Sequence, residues 1–402
     1  MPADVGTHAE VVPELRDGYE VHQAALRGGL NVLLLPRQVM TAGRDSGDAT
    51  ELSFVHGVPQ TSTLSAVTFA QDKRMRRALL TSAGLPIPKG GSYSVGRGMR
   101  SAGKLIARIG YPVVVKPAVG DNTIESQTGL RDEQEFTAAV EYLRTPTVER
   151  AEYTKAAYAL TMLSEPEELD GRVVMPGSYR FLLERHVSGQ YLRFLVIDDE
   201  VRSVVHCPKG PWRTDEAHED VTATTHAGLL RLARHAVRAV PGLAIAAVDI
   251  VARDAQRGPA EQDVWIVELS ERPWLAVQHG VSAEESERLG AEILRTHAKQ
   301  LSVSLDEPVD EVAVDIHIEG LTESAAAVAA FVDAGRSAGL RGSLTVTDAV
   351  EGFADGVLQG DPREIARLTE LLLDGRLAGH RGMLVEERKR AVEELDELAV
   401  RD

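Results

Sequence analysis

The chain has 402 residues, 43% of them hydrophobic, with 61 acidic against 44 basic residues and a formal net charge of −17. That length carries two or three domains with proper cores, while that charge repels a phosphate backbone, so nucleic acid is not an expected partner; "RMRR" at 74–77 is too short to reverse this and reads as a solvated helix face. A single cysteine, Cys207, excludes an intramolecular disulfide and a cysteine-rich metal site, and no apolar run approaches the ~20 residues that span a bilayer, so no membrane is expected. The opening "MPADVGTHAEVVPEL" has no basic stretch followed by an apolar one, and the cytoplasm is the expected location.

In chain order, residues 1 to about 70 mix short apolar runs with turns: "GLNVLLLP" reads as a strand and "GVPQTSTLSA" as a loop entering a helix. "DKRMRRALLTSAG" places Met75, Leu79 and Leu80 at helical spacing and ends on Gly84, a C′ glycine. A short helix around 99–109, the strand "PVVVK", a polar loop and the helix "RDEQEFTAAVEYL" follow, the last with carboxylates in its first turn, where the helix dipole favours them. "RFLLERHV", "YLRFLVID" and "VRSVVH" read as three consecutive strands of a meander. A Pro/Gly loop leads to a helix at 226–240, the strands "IAAVDIVA" and "VWIVEL", and a long helix at 282–303. From about 310 the order resets to strand, helix, strand, strand, helix, the order of a split βαβ sandwich, with a domain boundary expected near 305–310.

Only eight of the 44 basic residues are lysines, so a lysine kept at the end of an apolar strand, Lys116, asks for a reason that arginine does not satisfy. Lys73 lies near a helix start, Lys116 stands beside a loop with Gly120 and Gly129, and Asp249 and Glu268 lie on neighbouring strands. Two cations and two carboxylates around a polar loop are what a nucleoside triphosphate with Mg²⁺ requires: the lysines neutralise phosphate oxygens, loop amides cover them, and the carboxylates hold the metal. No GxxxxGK[ST] sequence is present, which argues against a P-loop fold. Asp249, flanked by "AAV" and "IVA", is costly to bury unpaired, so a cation partner is expected on physical grounds alone.

Four segments in order resemble the ATP-grasp family of carboxylate-amine ligases, most nearly the ATP-grasp parts of cyanophycin synthetase and bifunctional glutathione synthetase. "DKRMRRALLTSAGLPIP" is similar to DK-x-x-T-x-x-L-L-x-x-A-G-[IL]-P-x-P, "YPVVVKPAVGDN" to P-x-V-x-K-P-x-x-G, "FLLERHVSGQYLRFLVI" to V-E-x-x-x-x-G-x-x-x-R, and "AAVDIVA…VWIVELSERP" to a D…E-x-N pair. The resemblance implies an α/β (α+β) chain. Its ATP-grasp domain would span 71–305, with subdomains at about 71–180 and 181–305 clasping ATP after a short region at 1–70. Residues 310–385 resemble the acylphosphatase fold, a ferredoxin-like βαββαβ sandwich, but lack that family's V-Q-G-V-x-[FY]-R loop, which implies a packing or dimerisation module; a charged helical tail is expected at 386–402.

Position by position, the resemblance makes Lys73, Lys116 and Gly120 phosphate contacts and Glu184 an adenine contact, with Arg185, His186 and Val187 along the adenine edge. Arg193 matches an arginine facing the acyl phosphate and, with Lys116, is the catalytic pair. Asp249 and Glu268 match Mg²⁺ ligands, with Ser270 where the pattern has asparagine and Glu271 a substitute beside it. Tyr191 or Gln190 takes the place of an acidic ribose contact, and Trp274 that of a glycine. Lys209, Arg213 and Glu271 are candidates for the substrate side. The implied activity is ATP-dependent joining of an amino acid carboxylate, with the glutamate γ-carboxylate a first guess, to an amine through an acyl phosphate, by a homodimer. Two other readings stay open: a non-amine acceptor, and a non-catalytic nucleotide-binding protein.

Overall fold

The computed structural model describes residues 10–44, 51–119, 126–144, 167–169, 172–174, 180–211 and 217–401. By its internal contacts the chain forms two compact units, Thr61–Pro273 and a second that joins Met1–Gln60 to Trp274–Asp402. Both are mixed α+β.

The discontinuous unit begins with α1 (Arg16–Arg27) and four strands, β1 (Asn31–Leu35), β2 (Val39–Gly43), β3 (Leu52–Val55) and β4 (Val58–Pro59). The continuous unit opens with α2 (Leu64–Gln71) and α3 (Lys73–Ser82), followed by β5 (Gly90–Ser94), α4 (Met99–Ile109), β6 (Val113–Pro117), β7 (Gln127–Leu130) and α5 (Glu133–Arg144). A small ribbon of β8 (Glu167–Leu169) and β9 (Arg172–Val174) precedes β10 (Arg180–Arg185), β11 (Gln190–Ile197), β12 (Glu200–His206) and β13 (Glu219–Asp220). The unit ends with α6 (Ala227–Arg238), β14 (Ile245–Ala252) and β15 (Val264–Ser270). The chain then returns to the first unit through α7 (Ala276–His279), α8 (Ala283–Gln300), β16 (Val312–Glu319), α9 (Ser324–Ser337), β17 (Arg341–Asp348), β18 (Phe353–Gly360), α10 (Pro362–Asp374), β19 (Leu384–Arg390) and β20 (Ala399–Val400).

In the discontinuous unit, strands 17-18-16-19 lie in that order, the antiparallel arrangement of a ferredoxin-like sandwich, with α9 and α10 packed on the sheet. β1 pairs with the free side of β19, so the sheet runs on without a break through β2, β3 and β4 to nine strands. The boundary expected near 305–310 therefore does not separate two compact bodies: backbone hydrogen bonds tie the C-terminal sandwich to the first strands of the chain. The tail expected to be helical from 386 is β19 and β20 instead. β19 has a hydrogen-bonded neighbour on each side, and Val385 and Glu387 alternate into the interior, which outweighs the helix propensity of "VEERKRAVEEL".

α1 is buried on every side, yet it carries Arg16, Asp17, Glu20, His22 and Gln23. Buried polar groups need partners. Asp17 Oδ1 accepts from the Leu275 amide at 2.7 Å, Ser286 Oγ donates to Glu20 Oε1 at 2.8 Å, and His22 Nε2 lies 2.6 Å from Glu387 Oε2 with Nδ1 3.7 Å from Glu370 Oε1.

Besides the β8–β9 ribbon, the described residues of the continuous unit form two larger sheets. In the sheet β5-β10-β6-β7, Val113, Val115, Phe181 and Leu183 face a core shared with α4 and α5. In the sheet β13-β12-β11-β14-β15, Leu192, Phe194, Val248, Ile250 and Ile266 pack against α2, α3 and α6. Fully burying one such side chain stabilises by about 1.5–3 kcal/mol. The three expected meander strands are divided between the two sheets. β10 pairs with β5 and β6, whereas β11 pairs with β12 and β14, because the core of each strand's apolar face lies in a different sheet. Residues 186–189 therefore connect sheets rather than close a hairpin.

Candidate functional site

The period of two along β6 and β10 decides what faces away from their core. With Val113 and Val115 inward, Lys116 points to the other face; with Phe181 and Leu183 inward, so does Glu184. The register sets Lys116 opposite Leu182 and Glu184 opposite Val114, which makes the two charged residues diagonal neighbours. Lys116 Nζ lies 2.9 Å from Glu184 Oε2 and donates to the Val267 carbonyl at 2.7 Å.

α3 adds three further cations to this place. Asp72 caps the helix, its Oδ1 accepting from the amides of Arg74 at 2.8 Å and Met75 at 3.4 Å, a contribution of about 1 kcal/mol. The amide of Lys73 donates to the Ala118 carbonyl at 2.8 Å, joining the helix start to the residue just after β6. Lys73, Arg76, Arg77 and Leu80 then follow at i, i+3, i+4 and i+7, one helical face. Arg77 Nη1 lies 2.6 Å from Glu184 Oε1, and Arg76 pairs with Glu268 while donating to the carbonyls of Ala70 and Leu269. Met75, expected inward, is 42% exposed, because the inward face of the helix is this basic one.

Glu268 owes its orientation to an irregularity. Ile266 of β15 opposes Ile250 of β14 on the apolar face, and a residue two positions on would share that face. A β-bulge at this point places Glu268 opposite Asp249 instead, so the carboxylate turns to the face that carries Arg193 and Asp249. Val267, the extra residue, is the one whose carbonyl accepts from Lys116. Burial alone would push the Glu268 carboxyl up, but the charges of Arg76, Lys73 and Lys116 hold it below the usual carboxylate range.

Arg193, Asp249 and Glu268 thus form one rung across β11, β14 and β15. Asp249 has the cation partner its setting demands. Arg193 Nε and Nη2 donate to Oδ1 and Oδ2, each at 2.7 Å, and the Tyr191 hydroxyl donates to Oδ2 at 2.6 Å. Arg193 and Asp249 are both fully buried. Burial first, then the Asp249 charge, raises the Tyr191 hydroxyl far above its ordinary range and keeps it a donor. Removing one member of such a buried pair costs about 3–5 kcal/mol.

Lys73, Arg76, Arg77, Lys116, Glu184 and Glu268 line one small cavity of about 20 Å³ together with Leu80, Ile87, Leu182, Ile266 and Val267. That is the room of a single water, against the several hundred Å³ of a nucleotide site. Four cations therefore face two carboxylates in a chain whose net charge is −17.

Of the remaining candidates, Ser270 follows Glu268 on the same face, opposite Ala247, and its Oγ accepts from the Arg272 amide at 3.2 Å. Glu271 is buried and accepts from Gln71 Nε2 at 2.7 Å. The amides of Arg185 and His186 donate to the carbonyls of Lys89 at 2.8 Å and Pro112 at 3.0 Å, and Val187 lies half-buried beyond them. Lys209 is exposed in a turn. Gly120 and Arg213 lie outside the described residues. Cys207 is buried, and burial pushes its thiol up to about 12, as befits an inert side chain. Sequence reasoning missed Arg76 and Arg77, although their spacing from Lys73 was the available signal.

A divalent cation at this place would have Glu268, Asp249 and Ser270 for ligands. The donor set does not fit it. Asp249 is engaged by Arg193 and Tyr191, Glu268 is paired with Arg76, and among the described residues no three His, Cys, Asp or Glu side chains gather to hold a metal.

No family model matches the sequence, and no curated protein matches it. Among solved structures the chain is similar to a bifunctional glutathione synthetase from Pasteurella multocida, at 13% identity over 66% of this chain and 41% of that one, with a TM-score of 0.39. It is similar to the ATP-grasp ligase PsnB, solved with a precursor peptide and AMPPNP, at 16% identity over 57% of this chain and 59% of that one, with a TM-score of 0.37. It is also similar to the D-alanine-D-alanine ligase of Bacillus anthracis, solved with ATP, at 13% identity over 60% of this chain and 70% of that one, with a TM-score of 0.41. The chain spans about two fifths of the glutathione synthetase and under two thirds of PsnB. What it resembles are ligases, an ATP-grasp ligase among them.

Proposed function

We propose that the chain is an ATP-dependent ligase that joins the carboxylate of an amino acid, glutamate through its γ-carboxylate being the first candidate, to the amine of another. The observation that carries this is the cavity with four cations and two carboxylates at the meeting of α3, β6, β10 and β15. Four cations gathered in one buried place suit an anion that brings several charges, as a triphosphate does. In this reading Lys116 leaves Glu184, and Lys73, whose charge acts on Glu268, turns with it to phosphate oxygens, while Arg76 and Arg77 add charge beside them and Glu184 to Val187 border the adenine.

The substrate carboxylate attacks the γ-phosphorus, its oxygen forming the new bond as the bond to ADP breaks. The amine then attacks the acyl phosphate, phosphate leaves, a proton is released and an amide remains. The cations offset charge that builds on the transferring group, and Arg193 is the arginine assigned to the developing oxyanion. Glu271, Lys209 and Arg213 are assigned to the substrate side.

One observation favours the second reading, a nucleotide-binding protein without catalysis: both carboxylates of the rung are held by arginines. ADP release from ATP across a matrix of paired L-amino acids, with mass spectrometry of each active well, separates the two. A product lighter than its two amino acids by one water establishes the ligase; nucleotide binding with no turnover for any pair establishes the other.

A further inference from the structure

We propose that Arg76 and Arg193 stand in this chain where a divalent cation would be held, so that the nucleotide site works with no metal ion on Glu268 or Asp249. The inference rests on the nucleotide reading above and goes beyond it.

Both carboxylates are in the right place for a metal: they face each other directly on β14 and β15, and the bulge in β15 exists to bring Glu268 there. Asp249 is close to saturated, and Glu268 is ion-paired through Oε1, while its oxygens take no further hydrogen bond among the described residues. Asp249 accepts three hydrogen bonds, two from one guanidinium at 2.7 Å and one from a phenol at 2.6 Å, out of about four that a carboxylate takes. The Glu268 carboxylate pairs with Arg76, whose other contacts are two backbone carbonyls. Those carbonyls fix the guanidinium in place, and Arg76 is 6% exposed. A dication bridging Asp249 and Glu268 would have to expel the Arg193 guanidinium from Asp249 and share the Glu268 carboxylate with Arg76. It would also sit beside Lys73 and Lys116, whose charges already act on Glu268.

Two side chains make this arrangement particular to the chain. Arg76 occupies the threonine position of the pattern DK-x-x-T, and Tyr191 stands where an acidic side chain would be expected; each now serves one of the two carboxylates. A threonine in place of Arg76 carries no charge and leaves Glu268 free for a metal. Ser270 supplies a neutral hydroxyl that already accepts from the Arg272 amide.

The test is Mn²⁺ binding to the full chain, followed by electron paramagnetic resonance, with and without AMPPNP. The protein alone should bind no Mn²⁺, and the protein saturated with AMPPNP should bind no more than the nucleotide itself carries. Arg76→Thr should tighten Mn²⁺ binding by about tenfold or more, since it releases a ligand. Two Mn²⁺ ions per site in the unaltered protein, or tight Mn²⁺ binding without nucleotide, would overturn the inference and leave the nucleotide reading standing. Failure of AMPPNP to bind at all would overturn both. Should Arg76→Thr not fold, the titration of the unaltered protein decides by itself.

Discussion

In the continuous unit, the cavity beneath α3 is lined by four cations and two carboxylates; in the discontinuous unit, His22 on α1 is held between the carboxylates of Glu370 and Glu387. Both clusters are buried, and both cost desolvation. They differ in where the missing charge is to come from. Around His22 the carboxylates recruit a proton: burial would push the imidazole down, but Glu387 and Glu370 carry it up to about 9. The cluster thereby completes itself from solvent. The guanidiniums of Arg76 and Arg77 cannot shed charge in this way, because arginine does not deprotonate, and an anion is the completion proposed above for them and the neighbouring lysines. The first cluster is satisfied within the scaffold, and the second is the place proposed to receive an anion.

The largest expected effect breaks the scaffold side. Glu387→Ala leaves His22 without its 2.6 Å partner, and a loss of about 3–5 kcal/mol in urea denaturation is expected. A loss below about 1 kcal/mol would mean that the pair contributes no more than an exposed one. A second measurement uses pH. The His22 pKa is raised on folding, so its contribution is complete below the unfolded value near 6.5 and is lost as pH climbs through about 9. Stability should fall over that window by on the order of 3 kcal/mol, and His22→Gln should flatten the slope. The smallest effect sharpens the site side. Lys73→Met removes a buried cation whose charge acts on Glu268 while keeping its length, and the free protein should lose about 1–3 kcal/mol. AMPPNP affinity should also fall about tenfold, as expected for one lost charge-assisted contact. A large destabilisation with unchanged affinity would place Lys73 with the scaffold.

Much of this was legible beforehand, for identifiable reasons. The helical spacing in "DKRMRRALLTSAG", Gly84 at its end and the run "PVVVK" gave α3 and β6, because periodicity, a left-handed glycine and a β-branched run act over a few residues; Gly84 has φ of +69°. Asp249 within "IAAVDIVA" demanded a cation partner whatever its identity. Arg76 escaped notice because "RMRR" reads as solvated when the helix is assumed to turn Met75 inward, and the tail was read as helix because its neighbours in the sheet lie more than 50 residues away in sequence.

The sequence by itself determined the residue types that converge, the two strands that carry the facing carboxylates, and the ferredoxin-like order of the region from about 310 onward, since periods of two and 3.6 are written locally. Tertiary structure alone decided the rest. β1 joined the C-terminal sheet to the N-terminal strands, β10 left β11 for a different sheet, a one-residue bulge turned Glu268 away from the apolar core, and the two carboxylates took arginines as partners. Each of these is a choice among long-range partners, set by which backbone edges and buried charges remain unsatisfied once the local elements have formed.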